Sequence, residues 1–216
     1  MIRAAILGAS GFVGAELLRL CALHPELEPA KLFGDSQAGL PLEDVHPHLA
    51  LAYRGLAVER FAPDLLDGID LVFAALPHGH SQRIAADIIA RDIAFVDLGA
   101  DFRLSDASEY QRWYGEPHEA PELLDRFVYG LPEYHRDEIA CSRTVAAPGC
   151  YPTSAILALK PLLPLIDPAT IVVDAASGVT GAGRGLSETT HFNSVAESFS
   201  AYGLLGHRHT AASPSP

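Results

Sequence analysis

Short apolar runs alternate along the chain with glycine- or proline-marked turns and amphipathic stretches, the pattern of a parallel sheet wound with helices. Residues 3–7 predict a first strand. A glycine turn follows, then a helix to about Leu23 with Phe12, Val13, Leu17, Leu18 and Cys21 on its apolar side. Residues 27–33 predict a second strand and 56–61 a third. The run 69–76 is apolar but for Asp70, as suits a central strand buried on both faces. Ser81 opens an amphipathic helix to about Arg91, and 94–98 is the next strand. Tyr110, Trp113 and Tyr114 fall on a short helix, where such rings serve a core or an interface. Residues 118–142, rich in prolines and charges, read as a long connection with one short helix. The strand 144–147 delivers Pro148-Gly149-Cys150-Tyr151-Pro152, and the apolar run from Ala155 carries a helix onward. Residues 171–175 predict one more strand. The expected class is α/β, with a mostly parallel sheet in a Rossmann-like dinucleotide-binding domain (1–147). A partial α+β catalytic domain (148–210) and a disordered tail (211–216) follow.

Three features in this pattern carry chemistry. Gly8, Gly11 and Gly14 form a G-x-x-G-x-x-G turn between the first strand and the first helix. There glycines permit a tight turn and let a pyrophosphate approach the helix N-terminus. At the end of the second strand stand Asp35, suited to the ribose 2′-hydroxyl of NAD, and Ser36, suited to the 2′-phosphate of NADP; these residues do not decide between them. Cys150 sits ahead of a helix N-terminus, where partial positive charge favours a thiolate nucleophile.

Other positions admit two readings. Ser81 serves equally as an N-cap or a ligand contact. Asp101 and Arg103, at a strand's carboxyl end, either pair with neighbours or, for Arg103, hold an anion. The loop 177–185, with four glycines and Arg184, suits wrapping an anion through its amides. Three H-x-H pairs lack accompanying carboxylates or thiols at ligand spacing, so no metal site is expected.

Composition narrows the classes. A formal net charge of −12 over 216 residues argues against nucleic acid and anionic membrane surfaces. Three cysteines without framework spacing fit a reducing compartment, and with no run of membrane-spanning length a soluble cytoplasmic protein is expected.

Eight segments then occur in one order: Gly8-Ala9-Ser10-Gly11-Phe12-Val13-Gly14, Leu76-Pro77-His78-Gly79, Ala100-Asp101-Phe102-Arg103-Leu104, Trp113-Tyr114-Gly115, Tyr129-Gly130-Leu131-Pro132-Glu133, Pro148-Gly149-Cys150-Tyr151-Pro152-Thr153, Ser177 through Arg184, and His207-Arg208-His209-Thr210. Together they resemble the N-acetyl-gamma-glutamyl-phosphate reductases of arginine biosynthesis, within the semialdehyde dehydrogenase superfamily. The cysteine and histidine segments separate this family from aspartate-semialdehyde dehydrogenase.

The resemblance implies reductive dephosphorylation of a small acyl phosphate with NADPH, NAD being the less favoured coenzyme. It implies Cys150 as nucleophile and His209, with His207 beside it, for proton transfer. Gly8, Ser10, Gly11, Phe12, Val13 and Gly14 would meet the pyrophosphate side of the coenzyme, Ser36 its 2′-phosphate and Gly181 another part of it. Arg103 and Arg184 would contact substrate anions. A homo-oligomer is also implied. Two departures stand out. Gln37 replaces an arginine that many members carry, and an Ala/Ser/Pro stretch follows Thr210 where members continue with Pro-Glu-Ile. The chain is therefore expected to be truncated, which keeps open an inactive NADP-binding homologue. A related acyl-phosphate reductase is the other alternative.

Overall fold

A computed structural model describes residues 1–204 and 206–210; the expected disordered tail, 211–216, lies outside the described residues. Within them one parallel sheet is built from β1 (Ile2–Leu7), β2 (Leu27–Phe33), β3 (Leu71–Ala74), β4 (Ala94–Asp97), β5 (Val128–Tyr129) and β6 (Thr144–Ala146). The strand order is β2-β1-β3-β4-β6-β5. Every pairing is parallel, with one register shift between Ala4 and Ala5 where β1 meets β2.

Side chains alternate across the sheet with the period of two that strands impose. Ala5 and Leu7 of β1 join Val72, Ala74 and Phe95 on one face, packed by Ala85 and Ile88 of the helix α3 (Ser81–Ala90). Ile6 and Leu32 face the other way, with Leu18 of α1 (Phe12–Cys21) and Leu42 and Val45 of α2 (Leu42–Val45). Cutting Leu18 or Ile88 to alanine would cost about 2–5 kcal/mol, since neither exposes any surface. The remaining helices are α4 (Ala107–Tyr114), α5 (Pro132–Cys141), α6 (Cys150–Leu159) and the single turn α7 (Phe192–Val195). The architecture is a Rossmann-like α/β sheet. No helix among the described residues is long and apolar enough to cross a membrane.

Four expectations are corrected. The buried stripe of α1 runs through Gly14, Ala15, Leu18 and Cys21, so Phe12 and Val13 face outward at the helix's open first turn. Residues 56–61 lie beside β2 without forming a strand. They share two backbone bonds with it, Glu59 N–H to the Leu32 carbonyl (2.8 Å) and Gly34 N–H to the Glu59 carbonyl (3.0 Å), before a bridge from Ala57 to Pro41 turns them away. Residues 171–175 pair with no strand among the described residues; Val172 is 90% and Val173 58% exposed. The connection 118–142 hides the two-residue edge strand β5 as well as its helix.

Because all six strands run the same way, the loops after β1, β3, β4 and β6 leave from one edge of the sheet. The chain departs from β1 toward β2 on one side and β3 on the other, which opens a crevice at that edge.

Candidate active site

The glycine turn after β1 is shaped by close backbone contact. Gly8 has φ +79°, and a Cβ there would sit 2.1 Å from the Ala75 carbonyl oxygen beyond β3; a Cβ on Gly14 would meet the Gly8 oxygen at 2.4 Å. Gly11 is the N-cap of α1 and lends it no side-chain cap, so the helix's first amides await an acceptor. Two side chains from far along the chain hold the turn. His46 Nε2 lies 2.9 Å from the Ala9 carbonyl, and burial lowers the pKa of this imidazole. Arg184 Nη1 donates to the Ser10 carbonyl at 2.9 Å. Ser10, Gly11, Ser36, Gln37, Arg184 and Gly185 line a cavity of about 440 Å³ beside the turn. An uncapped helix start, a glycine turn and this hydroxyl- and guanidinium-lined cavity fit a dinucleotide.

The loop after β3 is held by a buried carboxylate. Asp101, fully buried in the loop after β4, accepts the amides of Gly79 (2.8 Å), Ser81 (2.9 Å) and Gln82 (3.2 Å) at the start of α3. It also lies 3.0 Å from His78 Nδ1. Burial lowers the His78 pKa more than Asp101 raises it. Tyr114 stacks on the same imidazole, with ring centroids 4.3 Å apart. Ser81 is therefore not the cap of α3: its hydroxyl donates to Asp97 Oδ1 at 2.6 Å. Asp101 does not pair with Arg103 either, since backbone amides satisfy it.

Arg103 turns toward β6. Its Nε donates to the Ala147 carbonyl (2.8 Å) and its Nη2 to the Leu98 carbonyl (3.0 Å). That aims Nη1 at Gly149, 3.1 Å from where a Cβ would stand. Cys150 is the first residue of α6 and is exposed; Gly149, its N-cap, is buried. The helix begins here because Gly149 leaves it in extended geometry and Pro152 needs no amide partner in the first turn.

His209 completes the cluster. Its Nε2 lies 2.7 Å from the same Cβ position on Gly149, and its ring packs edge-on to Tyr151 at 5.4 Å and beside His207 at 5.0 Å. Burial, reinforced by His207, Arg103 and Arg208, lowers its pKa to about 4, so the ring is neutral at pH 7. Its buried Nδ1 has no hydrogen-bond partner among the described residues. Arg208 reaches over the Tyr114 ring at 5.8 Å, tying this last turn to the loop that holds His78. A neutral imidazole, a directed guanidinium and a thiol at one turn can deprotonate a nucleophile and hold an anionic leaving group.

The profile described as the NAD binding domain of semialdehyde dehydrogenase matches residues 3–142, and that of the semialdehyde dehydrogenase dimerisation domain matches 150–212. The chain belongs to the semialdehyde dehydrogenase family. Within it the chain is 48% identical over 212 residues to the N-acetyl-gamma-glutamyl-phosphate reductase of Desulforamulus reducens and 50% identical over 213 residues to that of Desulforudis audaxviator. The reductase of Pseudomonas putida (strain W619) is 46% identical over 211 residues. Each alignment covers 97% of this chain, and the chain spans 61% of the length of these relatives. Among solved structures, the fold matches aspartate semialdehyde dehydrogenase with NADP from Candida albicans at a TM-score of 0.56 and 19% identity, over 76% of this chain and 47% of that one. Aspartate semialdehyde dehydrogenase II from Vibrio cholerae matches at 0.51 and 18%, over 77% of this chain and 47% of that one.

In this member of the semialdehyde dehydrogenase family, His209 Nε2 and Arg103 Nη1 meet at Gly149, the residue before Cys150, with His207 packed on His209, while Ser10, Gly11 and Ser36 line the cavity beside the turn and helix start that carry Gly8, Phe12, Val13 and Gly14. Arg184, expected at the substrate, is placed instead over the glycine turn, where the Ser10 and Val45 carbonyls hold it. Gly181 sits in an exposed turn, its amide bonded to the Gly178 carbonyl. The parts that Asp101, His46 and Tyr114 play in holding these loops escaped the sequence reading. Asp101 stood in a quoted motif, but its amide partners lie some twenty positions upstream.

Proposed function

We propose that the protein carries out the NADPH-dependent reductive dephosphorylation of N-acetyl-glutamyl 5-phosphate to N-acetyl-glutamate 5-semialdehyde and phosphate, in arginine biosynthesis. The observation that carries this reading is the convergence of His209 Nε2 and Arg103 Nη1 on the residue before Cys150. Neutral His209 accepts the Cys150 thiol proton. The thiolate forms a bond to the acyl carbon, the bond to the phosphate oxygen breaks, and the departing phosphate takes the proton from His209. Arg103 Nη1 faces the leaving group's charge while the other guanidinium nitrogens keep it aimed. The coenzyme, when bound, supplies hydride, which reduces the Cys150 thioester carbon. The oxyanion this leaves re-forms the carbonyl as the carbon–sulfur bond breaks, releasing the aldehyde, and the departing Cys150 thiolate takes one proton from solvent to return as thiol. Ser10, Ser36 and the first turn of α1 hold the pyrophosphate and adenosine side. Association into a homo-oligomer through residues 150–212, which match the dimerisation domain, belongs to the same reading.

The test is phosphate-dependent reduction of NADP with N-acetyl-glutamate 5-semialdehyde. Cys150→Ser is expected to abolish turnover and leave NADPH binding intact; turnover that survives the substitution refutes the nucleophile.

A further inference from the structure

At the carboxyl end of β2 an acidic side chain ordinarily accepts the ribose 2′-hydroxyl of NAD, and an arginine nearby accommodates the 2′-phosphate of NADP. Both residue types stand there, and they are bonded to each other. Asp35 Oδ1 lies 3.0 Å from Arg60 Nη1, and both side chains are largely exposed. Arg60 reaches this place because its neighbour Glu59 is hydrogen-bonded to Leu32 and Gly34, which lays residues 59–60 along the end of β2. Ser36, next to Asp35, lines the cavity with Ser10, Gly11 and Arg184. A Cβ on Gly34 would lie 3.0 Å from Ser10 Oγ, so the end of β2 and the glycine turn form one wall.

Building on the dinucleotide reading above, we propose that the Asp35–Arg60 pair selects the coenzyme: Arg60 exchanges its carboxylate partner for the 2′-phosphate of NADPH. The exchange is favoured on three grounds. An exposed ion pair contributes little stability and is easily given up. A phosphate carries more charge than a carboxylate and takes a guanidinium in a two-pronged contact. Released Asp35 is returned to water, where it is already mostly solvated. With the pair intact, Asp35 is masked from a 2′-hydroxyl, which counts against NADH. The Ser36 hydroxyl and Arg184, fixed to the Ser10 carbonyl, offer further donors from the cavity lining.

The test measures binding of NADPH and NADH to the full chain by fluorescence or calorimetry, with 2′,5′-ADP against 5′-AMP as fragments that carry or lack the phosphate. The wild type is expected to prefer NADPH. Arg60→Gln should weaken NADPH and 2′,5′-ADP about tenfold or more, the loss of a charged hydrogen-bond donor. NADH and 5′-AMP should bind as well or better, since Asp35 is freed for the 2′-hydroxyl, and Arg60→Lys should recover part of the loss. Asp35→Asn should strengthen NADPH, by removing the carboxylate that competes for Arg60, and leave NADH unchanged. An Arg60→Gln protein that melts like the wild type yet keeps the wild-type ratio of the two affinities overturns the selector while leaving the dinucleotide site standing. A uniform loss for both coenzymes overturns it equally. A wild type that binds neither coenzyme overturns both the selector and the dinucleotide reading.

Discussion

Replacing Gly149 by alanine separates the architecture of the turn before Cys150, proposed as the catalytic one, from its stability. Gly149 has φ −74° and ψ 159°, a region every L-residue adopts, so the backbone itself tolerates the change. What the new Cβ meets is the ends of two side chains: His209 Nε2 at 2.7 Å, its Cδ2 at 3.0 Å and Arg103 Nη1 at 3.1 Å. Ordinary contact begins at 3.4 Å, so the imidazole must retreat by about 0.7 Å. The folded state loses little, because side-chain tips move and no backbone does. Alanine also restricts the unfolded chain, worth about 0.4–1 kcal/mol in the opposite direction, so net stability should stay within about 1 kcal/mol of wild type. Catalysis is far less tolerant, since a displacement near 1 Å costs on the order of 100-fold. Turnover in the phosphate-dependent assay should fall about 10- to 100-fold. A second reading needs no turnover. The imidazole titrates at about 4 because it is buried against this turn, and a ring pushed outward should titrate closer to the ordinary 6.5 in an NMR pH series. Wild-type turnover with His209 still titrating near 4 would show that the ring is not seated against Gly149. Destabilisation beyond about 3 kcal/mol would show that the contact is not confined to side-chain ends.

Two further outcomes follow from buried titratable groups. Burial lifts the Asp97 carboxyl to about 6, against its ordinary 3.8, despite the bonds from Ser81 and Gly99. Its stabilising contribution is therefore complete below about pH 4 and lost as pH rises through 6, and Asp97→Asn should add about 1–3 kcal/mol at pH 8 and nothing at pH 3.5 in urea denaturation. An Asn variant less stable than wild type at pH 8 would refute this. His209 is shifted the other way, from 6.5 down to about 4. Its undocked form takes up a proton first, so docking of residues 206–210 on α6 should weaken as pH falls from 6.5 through 4. Hydrogen exchange in those residues, corrected for intrinsic rate, reads this directly, and constant protection from pH 7.5 to 4.5 would contradict it.

The sheet was readable where local signals agreed. β1, β3, β4 and β6 are largely apolar runs, β2 carries Glu28 and Lys31 among apolar positions, and each is ended by glycine, proline or aspartate and finds a parallel neighbour. Residues 171–175 carry β-branched residues too and form no strand, because strand preference is mostly a matter of packing against a partner, and they pair with none of the described strands. β5 is too short to show any periodicity, and α5 buries none of its side chains, so no stripe marks its face. In the site, the thiol and the glycine turn are legible because each is a local backbone device. Arg184 at Ser10, Arg60 at Asp35 and Asp101 at the amides of α3 are pairings across 174, 25 and about twenty positions. No local rule specifies such partners; the sheet order does.

That order also sets the direction of the proposed chemistry. Strands in a sheet lie about 4.8 Å apart, so the edge from β1 through β3 and β4 to β6 spans roughly 14 Å. The glycine turn stands at one end of this line and Cys150 at the other, with His78 after β3 and Asp101 and Arg103 after β4 between them. On the far side of β1, β2 contributes Asp35 and Ser36. A dinucleotide whose pyrophosphate meets the turn then has one ribose on the β2 side and its other half running toward β6. Only one of its two ends can face the thiol. Because Arg60 and Asp35 stand at β2, the end they are proposed to read is the end away from Cys150, and a change of coenzyme preference there need not disturb the turn at Gly149 where His209 and Arg103 meet.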